Sequence, residues 1–509
     1  MIMRTRRLAC ALLVSCVVAA RVVAAVPPAT DAEVALPVAL YDQSVEAVAQ
    51  GRQDEAMALL RRAIADGYQD WHAVKLGPAL APLRERQEWE ALVADFDARN
   101  PWQQVHDFSG KLPHSPWTEY AVGLVALRDG TAPTANRVST PAVPGYFLQL
   151  HVQRASLVGD YDYGHANYFG GFRDFDVAGR GIVRFKPAIP ELEALVTGRR
   201  VVMLNESHGR SAERAANFQM VRALRGLGFT HLALEALGYD RLESDACRNS
   251  ALSDNGLHDR GHALRETGAY TNDPIYAELV RMALGAGYRL VAYDNSHPDP
   301  RSPQREEDQA RNIHCILKED PNARVVVIGG GGHTSKSPDL AMEGGMMGLR
   351  LANRLDPAPF SIAVRAVRLA NVPDGAGARG LLNPGADGAL AGQPYFAETA
   401  DGLHTLAGYD AAVFFAIPED RSADAGWLRL GGWRNLAPAV PLDCRNAPCL
   451  LEARRVGESP EAVPGDRCVI PEAGRSCQLF LAPGDYEAVL LDADSRRSAP
   501  HQFRVPGPG

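Results

Sequence analysis

Residues 201–209, Val-Val-Met-Leu-Asn-Glu-Ser-His-Gly, pass from four apolar residues to a carboxylate, Glu206, and an imidazole, His208. Residues two apart in extended chain face the same way, so both side chains address one small volume. An imidazole that titrates near neutrality beside a carboxylate suits proton transfer, and the same pair suits a divalent cation. Three more ionisable residues follow apolar runs in this manner: Glu235 after 231–234, Asp294 after 289–293, and His333 after the glycine run 329–332. That run is not a phosphate loop, because no Gly-Lys-Ser/Thr follows, nor a dinucleotide fingerprint, because it closes a late strand. Gly330, Gly331 and Gly332 instead let the backbone approach a ligand and offer amides to an anion.

These residues need a scaffold that brings strand ends together. Apolar runs at 200–204, 231–234, 289–293, 324–328 and 360–364 alternate with helical periodicity at 214–227, 274–284, 306–318 and 340–355. The alternation predicts an α/β fold, a mostly parallel sheet with helices on both faces. All the strand ends then lie on one edge, where such sheets bind ligands, and Glu206, His208, Glu235, Asp294 and His333 converge. Asp273-Pro274 forms a helix start, with the carboxylate as cap. Each residue also has a blander reading. A strand-end His is often a satisfied side chain, Glu235 suits a cap, and Asp294 suits an Asx turn. His258 and His262, at i and i+4 in the insertion 238–272, have metal-like spacing but read as an exposed polar helix.

At 509 residues the chain exceeds one ordinary core. A net charge of −8 gives no support for nucleic-acid binding. Beyond the N-terminus no run is long and apolar enough to span a bilayer. Residues 1–25 have the form of a secretory signal: Arg4, Arg6 and Arg7, then an apolar run, then small residues at Ala24 and Ala25. Residues 13–16, Leu-Val-Ser-Cys, resemble a lipobox that would lipidate Cys16. Simple cleavage is preferred, and an exported, periplasmic or secreted protein is expected. Six cysteines follow, and in that compartment disulfides are expected, chiefly among Cys444, Cys449, Cys468 and Cys477, with a four-cysteine zinc site as the alternative. The remaining organisation reads as a helical, tetratricopeptide-like module at 26–100, partner-facing or structural. An irregular connection at 101–189 follows, with a Gly- and aromatic-rich segment at 159–172. The α/β domain occupies 190–418, and a β-rich disulfide module 419–509.

Leu204-Asn205-Glu206-Ser207-His208-Gly209, Glu235 closing the next strand, and Val327-Ile328-Gly329-Gly330-Gly331-Gly332-His333 resemble the superfamily joining erythromycin esterases, ChaN-type haem-uptake lipoproteins and the TraB/Tiki proteins. Its hallmarks are two Gly-x-x-His motifs and paired glutamates. Arg305-Glu306-Glu307-Asp308-Gln309-Ala310-Arg311-Asn312-Ile313 is similar to a helix of the esterase branch, with Gln309 in place of Met. The resemblance spans about residues 190–418 and departs at Asn205, where the family usually has Gly. It implies Glu206, His208, Glu235, Arg305 and His333 as the functional set. Three activities follow from the branches. The first is hydrolysis of an ester or amide of a small-molecule substrate, with His208 as base, Glu206 or Glu235 orienting it, and Arg305 and His333 on the oxyanion. The second is metallohydrolysis on a divalent cation held by His208, His333 and Glu206 or Glu235. The third is haem or ligand binding without turnover, with Tyr163, His165 or Tyr168 as an axial ligand.

Overall fold

The computed structural model describes residues 31–68, 74–75, 78–99, 117, 120–121, 124, 146–167, 174–242, 247–295, 302–340, 342–371, 392–416 and 426–507. The signal-like N-terminus with Cys16 lies outside these residues, as does Tyr168.

A ten-stranded sheet organises the middle of the chain. Its main path uses β1 (Val201–Glu206), β2 (His231–Leu234), β3 (Arg289–Ala292), β4 (Val325–Gly330), β5 (Phe360–Ala370), β6 (Tyr395–Thr399), β7 (Gly402–Leu403) and β8 (Ala411–Ala416). The order across the sheet is β7-β6-β8-β5-β1-β4-β2-β3. Every pairing from β8 to β3 is parallel, and β6 joins β8 antiparallel. Strands Asp174–Asp176 and Arg184–Pro187 add to β5 and β6. In register, Glu206 stands beside Gly330, and Leu234 stands beside Ile328 and Ala292. The ends of β1, β4, β2 and β3 therefore share one edge.

Helices α1 (Ser211–Gly226), α2 (Pro274–Gly285), α3 (Pro303–Glu319) and α4 (Met347–Ala352) connect β1 to β2, β2 to β3, β3 to β4 and β4 to β5 in turn. Alternation along the strands splits the core in two. Val202, Leu204, Leu232, Leu234, Val326 and Ile328 pack with α1 and α2. Val201, Met203, Ala233, Val325 and Val327 pack with α3 and α4. Each fully buried aliphatic side chain contributes about 1.5–3 kcal/mol. Asp273 caps α2, accepting from the amides of Ile275 and Tyr276 at 2.7 and 3.2 Å. The helix expected over 340–355 is confined to α4, because Gly344 and Gly345 sit at φ +74° and +78°, left-handed backbone that an α-helix does not admit.

Helices Asp31–Ala49, Gln53–Ala65 and Trp89–Arg99 form an N-terminal helical module with its own core, including Ala47, Leu60, Ile64 and Phe96. Where the sequence suggested irregular chain, helices Tyr146–Leu157 and Tyr161–Asn167 appear. The C-terminal module is an antiparallel sheet of β9 (Cys449–Arg455), β10 (Asp466–Ile470), β11 (Gly484–Leu491) and β12 (His501–Val505), ordered β10-β9-β11-β12. Cys444–Cys449 and Cys468–Cys477 are disulfides, so these thiols do not form the alternative zinc site. Cys247–Cys315 ties the 238–272 insertion to α3. Among the described residues no helix is long and apolar enough to cross a membrane.

Candidate functional site

The turn after β1 is held from several sides. Glu213, in the first turn of α1, accepts the Ser207 amide at 2.8 Å. Where β1 and β5 diverge past Leu204, Asn205 Oδ1 accepts the Val364 amide at 2.6 Å. Asn205 thus completes the sheet where a glycine has no side chain to do so, and the turn still delivers His208 to the edge.

His208 Nδ1 lies 3.2 Å from Glu206 Oε1. Glu206 Oε2 accepts from Arg214 Nε at 3.1 Å, and Arg214 Nη1 donates to Asp273 Oδ2 at 2.7 Å. Arg214 also donates to the His208 carbonyl at 2.7 Å. Burial opposes ionisation of Glu206, but Arg214 and then His208 more than offset it, and its pKa falls below the ordinary value. An ionised carboxylate only accepts, so Nδ1 carries a proton, and in the neutral ring Nε2 is the nitrogen with the lone pair. Tyr270 stacks on the imidazole at 4.1 Å, with rings 8° from parallel.

The second imidazole is built from β4, α3 and α4. His333 Nδ1 is 2.7 Å from Glu306 Oε1, off the hydrogen-bonding axis, so the contact is ionic. Glu306 Oε2 accepts the Met347 amide at 2.8 Å. His333 Nε2 is 3.4 Å from Arg305 Nη1 and 3.7 Å from Glu235 Oε1. Burial works against the imidazolium, but Glu235 and Glu306 outweigh it and the pKa of His333 rises. For Glu235, burial is outweighed by His333, His208, Arg305 and the Gly330 amide, and its pKa falls.

Glu235 joins the two halves. Its Oε1 accepts from Arg305 Nη2 at 3.0 Å, and its Oε2 accepts the Gly330 amide. A Cβ placed on Gly330 would lie 2.3 Å from His208 Cε1, 2.4 Å from Nε2, and 3.2 Å from Glu235 Oε2. Both side chains therefore crowd the same side of Gly330, and the backbone approach that glycine permits is to His208 itself. The amides of Gly330 and Gly331 are used internally, the latter on the Glu206 carbonyl at 3.1 Å. Gly331 sits at φ +50°, and Gly332 lies against Leu340. Asp294 accepts from Arg305 Nε and Nη2 at 3.1 and 2.7 Å, from Gln309 Nε2 at 2.7 Å, and from the Asn295 amide at 2.8 Å. Asp294 thus orients Arg305, and Gln309 holds Asp294; the amide that an Asx turn would use, that of Ser296, lies outside the described residues.

The edge therefore gathers Glu206, His208, Glu235, Arg305, His333 and Asp294. The side chains of His208, Arg305 and His333 retain 21%, 15% and 15% exposure, so solvent reaches the cluster. Four participants were not assigned from sequence: Arg214, Asp273 beyond its capping role, Glu306, and Tyr270 from the insertion. His258 instead caps the sheet edge, its Nε2 accepting the Leu290 amide at 3.1 Å. Burial pushes the His262 imidazole pKa down.

The donors suggested for a metal fit poorly, because the Arg305 guanidinium already lies within reach of Glu235 and His333. Among the described residues no three His, Cys, Asp or Glu side chains form a metal-binding group. Tyr163 packs edge-on against Tyr120 at 6.3 Å. Burial and Asp160 push its phenol pKa up, which disfavours the phenolate that haem iron requires. The side chain of His165 lies outside the described residues. Cavities of about 310 and 570 Å³ occur on the C-terminal module, one lined by Arg454, Arg455 and Arg497, the other by Asp162, Glu472 and Arg475.

No protein-family model matches the chain, and no curated protein matches it. Among solved structures, the type III effector HopBA1 aligns at 13% identity and TM-score 0.28, covering 47% of this chain and 98% of that one. A structure described as bacterial protein toxins aligns at 15% identity and TM-score 0.24, covering 65% of this chain and 89% of that one. RRSP, a MARTX toxin effector domain from Vibrio vulnificus, aligns at 16% identity and TM-score 0.20, covering 60% and 81%. Likeness at this level adds nothing to the reading of the site.

Proposed function

We propose that the protein is an exported hydrolase of the erythromycin-esterase type, cleaving an ester or amide of a small or medium-sized molecule by acid–base chemistry. One observation carries this reading. Two imidazoles each have Nδ1 against a buried carboxylate, Glu206 or Glu306, and both rings lie close to the same Glu235.

In this mechanism His208 Nε2 takes a proton from water as the water oxygen attacks the carbonyl carbon. Glu206 accepts the Nδ1 proton in a hydrogen bond and stabilises the imidazolium that forms. Arg214 holds Glu206 in place, so the base keeps its tautomer. Arg305 and the His333 imidazolium donate to the developing oxyanion. As the tetrahedral intermediate collapses, the leaving group departs with the proton that His208 Nε2 took from water, which restores the base. Glu235 keeps Arg305 and His333 together despite their like charge. Three disulfides are consistent with an oxidising, exported location.

The experiment is a panel of p-nitrophenyl esters and anilides, each assayed with and without EDTA. Turnover unaffected by the chelator is expected. Activity that disappears on chelation and returns with a divalent metal would replace this mechanism with the metal-dependent one.

A further inference from the structure

The C-terminal module reaches the site through buried arginines. Arg467 lies on β10 and is 6% exposed. Its Nη1 donates to two carbonyls, Leu157 at 2.8 Å and Asn272 at 3.0 Å. The chain neighbours of these carbonyls are Ser156 and Asp273, and both meet Arg214 Nη1, at 3.5 and 2.7 Å. A second arginine of the module, Arg434, donates to the Pro274 carbonyl at 2.8 Å. The turn carrying Asp273 is thus gripped on both sides by the C-terminal module. From Asp273 the contacts continue through Arg214 and Glu206 to His208 Nδ1. Gly159 adds to the closeness of this junction, since a Cβ there would lie 2.0 Å from the Arg467 carbonyl oxygen.

We infer that Arg467 is a positioning residue for the His208–Glu206 pair, and that the C-terminal module is a working part of the site rather than an appended domain. This rests on the acid–base reading above for its catalytic consequence, but not for its structural one. A guanidinium is suited to the task because one nitrogen with two hydrogens serves two carbonyls, while Nε remains beside Glu452 at 3.4 Å. Glu452 also has Arg454 at 2.8 Å and Arg497 at 3.3 Å. Loss of Arg467 therefore does not leave that carboxylate bare.

The test uses the full chain with Arg467→Met and Arg467→Lys. The lysine variant keeps a cation beside Glu452, protecting the fold, but a single ammonium does not hold both carbonyls and the carboxylate. Two readouts are taken on variants with parent near-UV dichroism. The first is the ¹⁵N spectrum of the His208 ring, which reports its tautomer. The second is p-nitrophenyl butyrate hydrolysis resolved into kcat and KM. A mixed-tautomer ring signal is expected, with kcat down about tenfold or more and KM within about twofold, since misplacement of a reacting group by 1 Å costs up to about a hundredfold. Combined with Asp273→Asn, the losses are expected to be less than additive. A parent-type ring spectrum in folded Arg467→Met overturns the inference. That spectrum is read whether or not the ester turns over, so failure of the hydrolase reading is distinguishable from failure of this one.

Discussion

Gly330→Ala isolates the meeting point of the two histidine halves. Gly330 closes β4 in extended conformation, so alanine fits the backbone without strain. The added methyl would sit 2.4 Å from His208 Nε2, whereas ordinary contact begins at 3.4 Å, so the ring must retreat by about 1 Å. Tyr270 blocks withdrawal through the ring face, so the motion falls on the edge and stretches the 3.2 Å contact to Glu206. Because His208 is the partly exposed, movable partner, the fold is expected to survive with a change in Tm of a few degrees. Displacement of a general base by that amount corresponds to a loss of about a hundredfold in kcat, or roughly 3 kcal/mol of transition-state stabilisation. The assay is p-nitrophenyl ester hydrolysis beside thermal unfolding. A folded Gly330→Ala protein with parent kcat would show that His208 Nε2 takes no part at this position.

Other outcomes follow from the same geometry. The depressed pKa values of Glu206 and Glu235 contribute stability that is present above the ordinary 4.5 and lost as pH falls through the folded values. The raised His333 value contributes stability that is complete below the ordinary 6.5 and lost as pH rises through the folded value. Urea unfolding across pH is therefore expected to show both limbs. Glu235→Gln should flatten the acid limb and His333→Gln the neutral one, and unchanged limbs would contradict the assignment. Replacing Cys247 and Cys315 by serine releases a link across 68 residues and is expected to cost up to about 4 kcal/mol by chain entropy. Denaturant titration measures this, and a loss below about 1 kcal/mol would mean that the link adds little to the insertion's hold on α3.

Much of this architecture is legible in the residues themselves. Strands buried on both faces are continuous apolar runs, as in β1 and β4, and an ionisable residue follows each run within a few positions. Glu206, His208, Glu235 and His333 follow from that alone. Arg214 does not, because a charged residue on a helix ordinarily marks its solvent face. Its burial is decided by Glu206 and by Asp273, which arrives from 59 residues away in the chain. Tyr270 belongs to an insertion without periodicity, so nothing local marks its ring as the cover of His208. Helices Tyr146–Leu157 and Tyr161–Asn167 likewise escape detection, since the second is short and holds a glycine. Gly164 there places the helix backbone against the turn after His208, with a Cβ only 3.2 Å from the Gly209 carbonyl oxygen.

In the proposed mechanism His208, held by Glu206, is the proton acceptor at an edge it shares with Glu235, Arg305 and His333. Parallel assay of the parent and the Glu206→Gln/His208→Ala protein against the ester and anilide panel tests it most directly. Turnover by the parent and a loss of at least about a thousandfold in the folded variant is the predicted result. Equal turnover by the two proteins would contradict it.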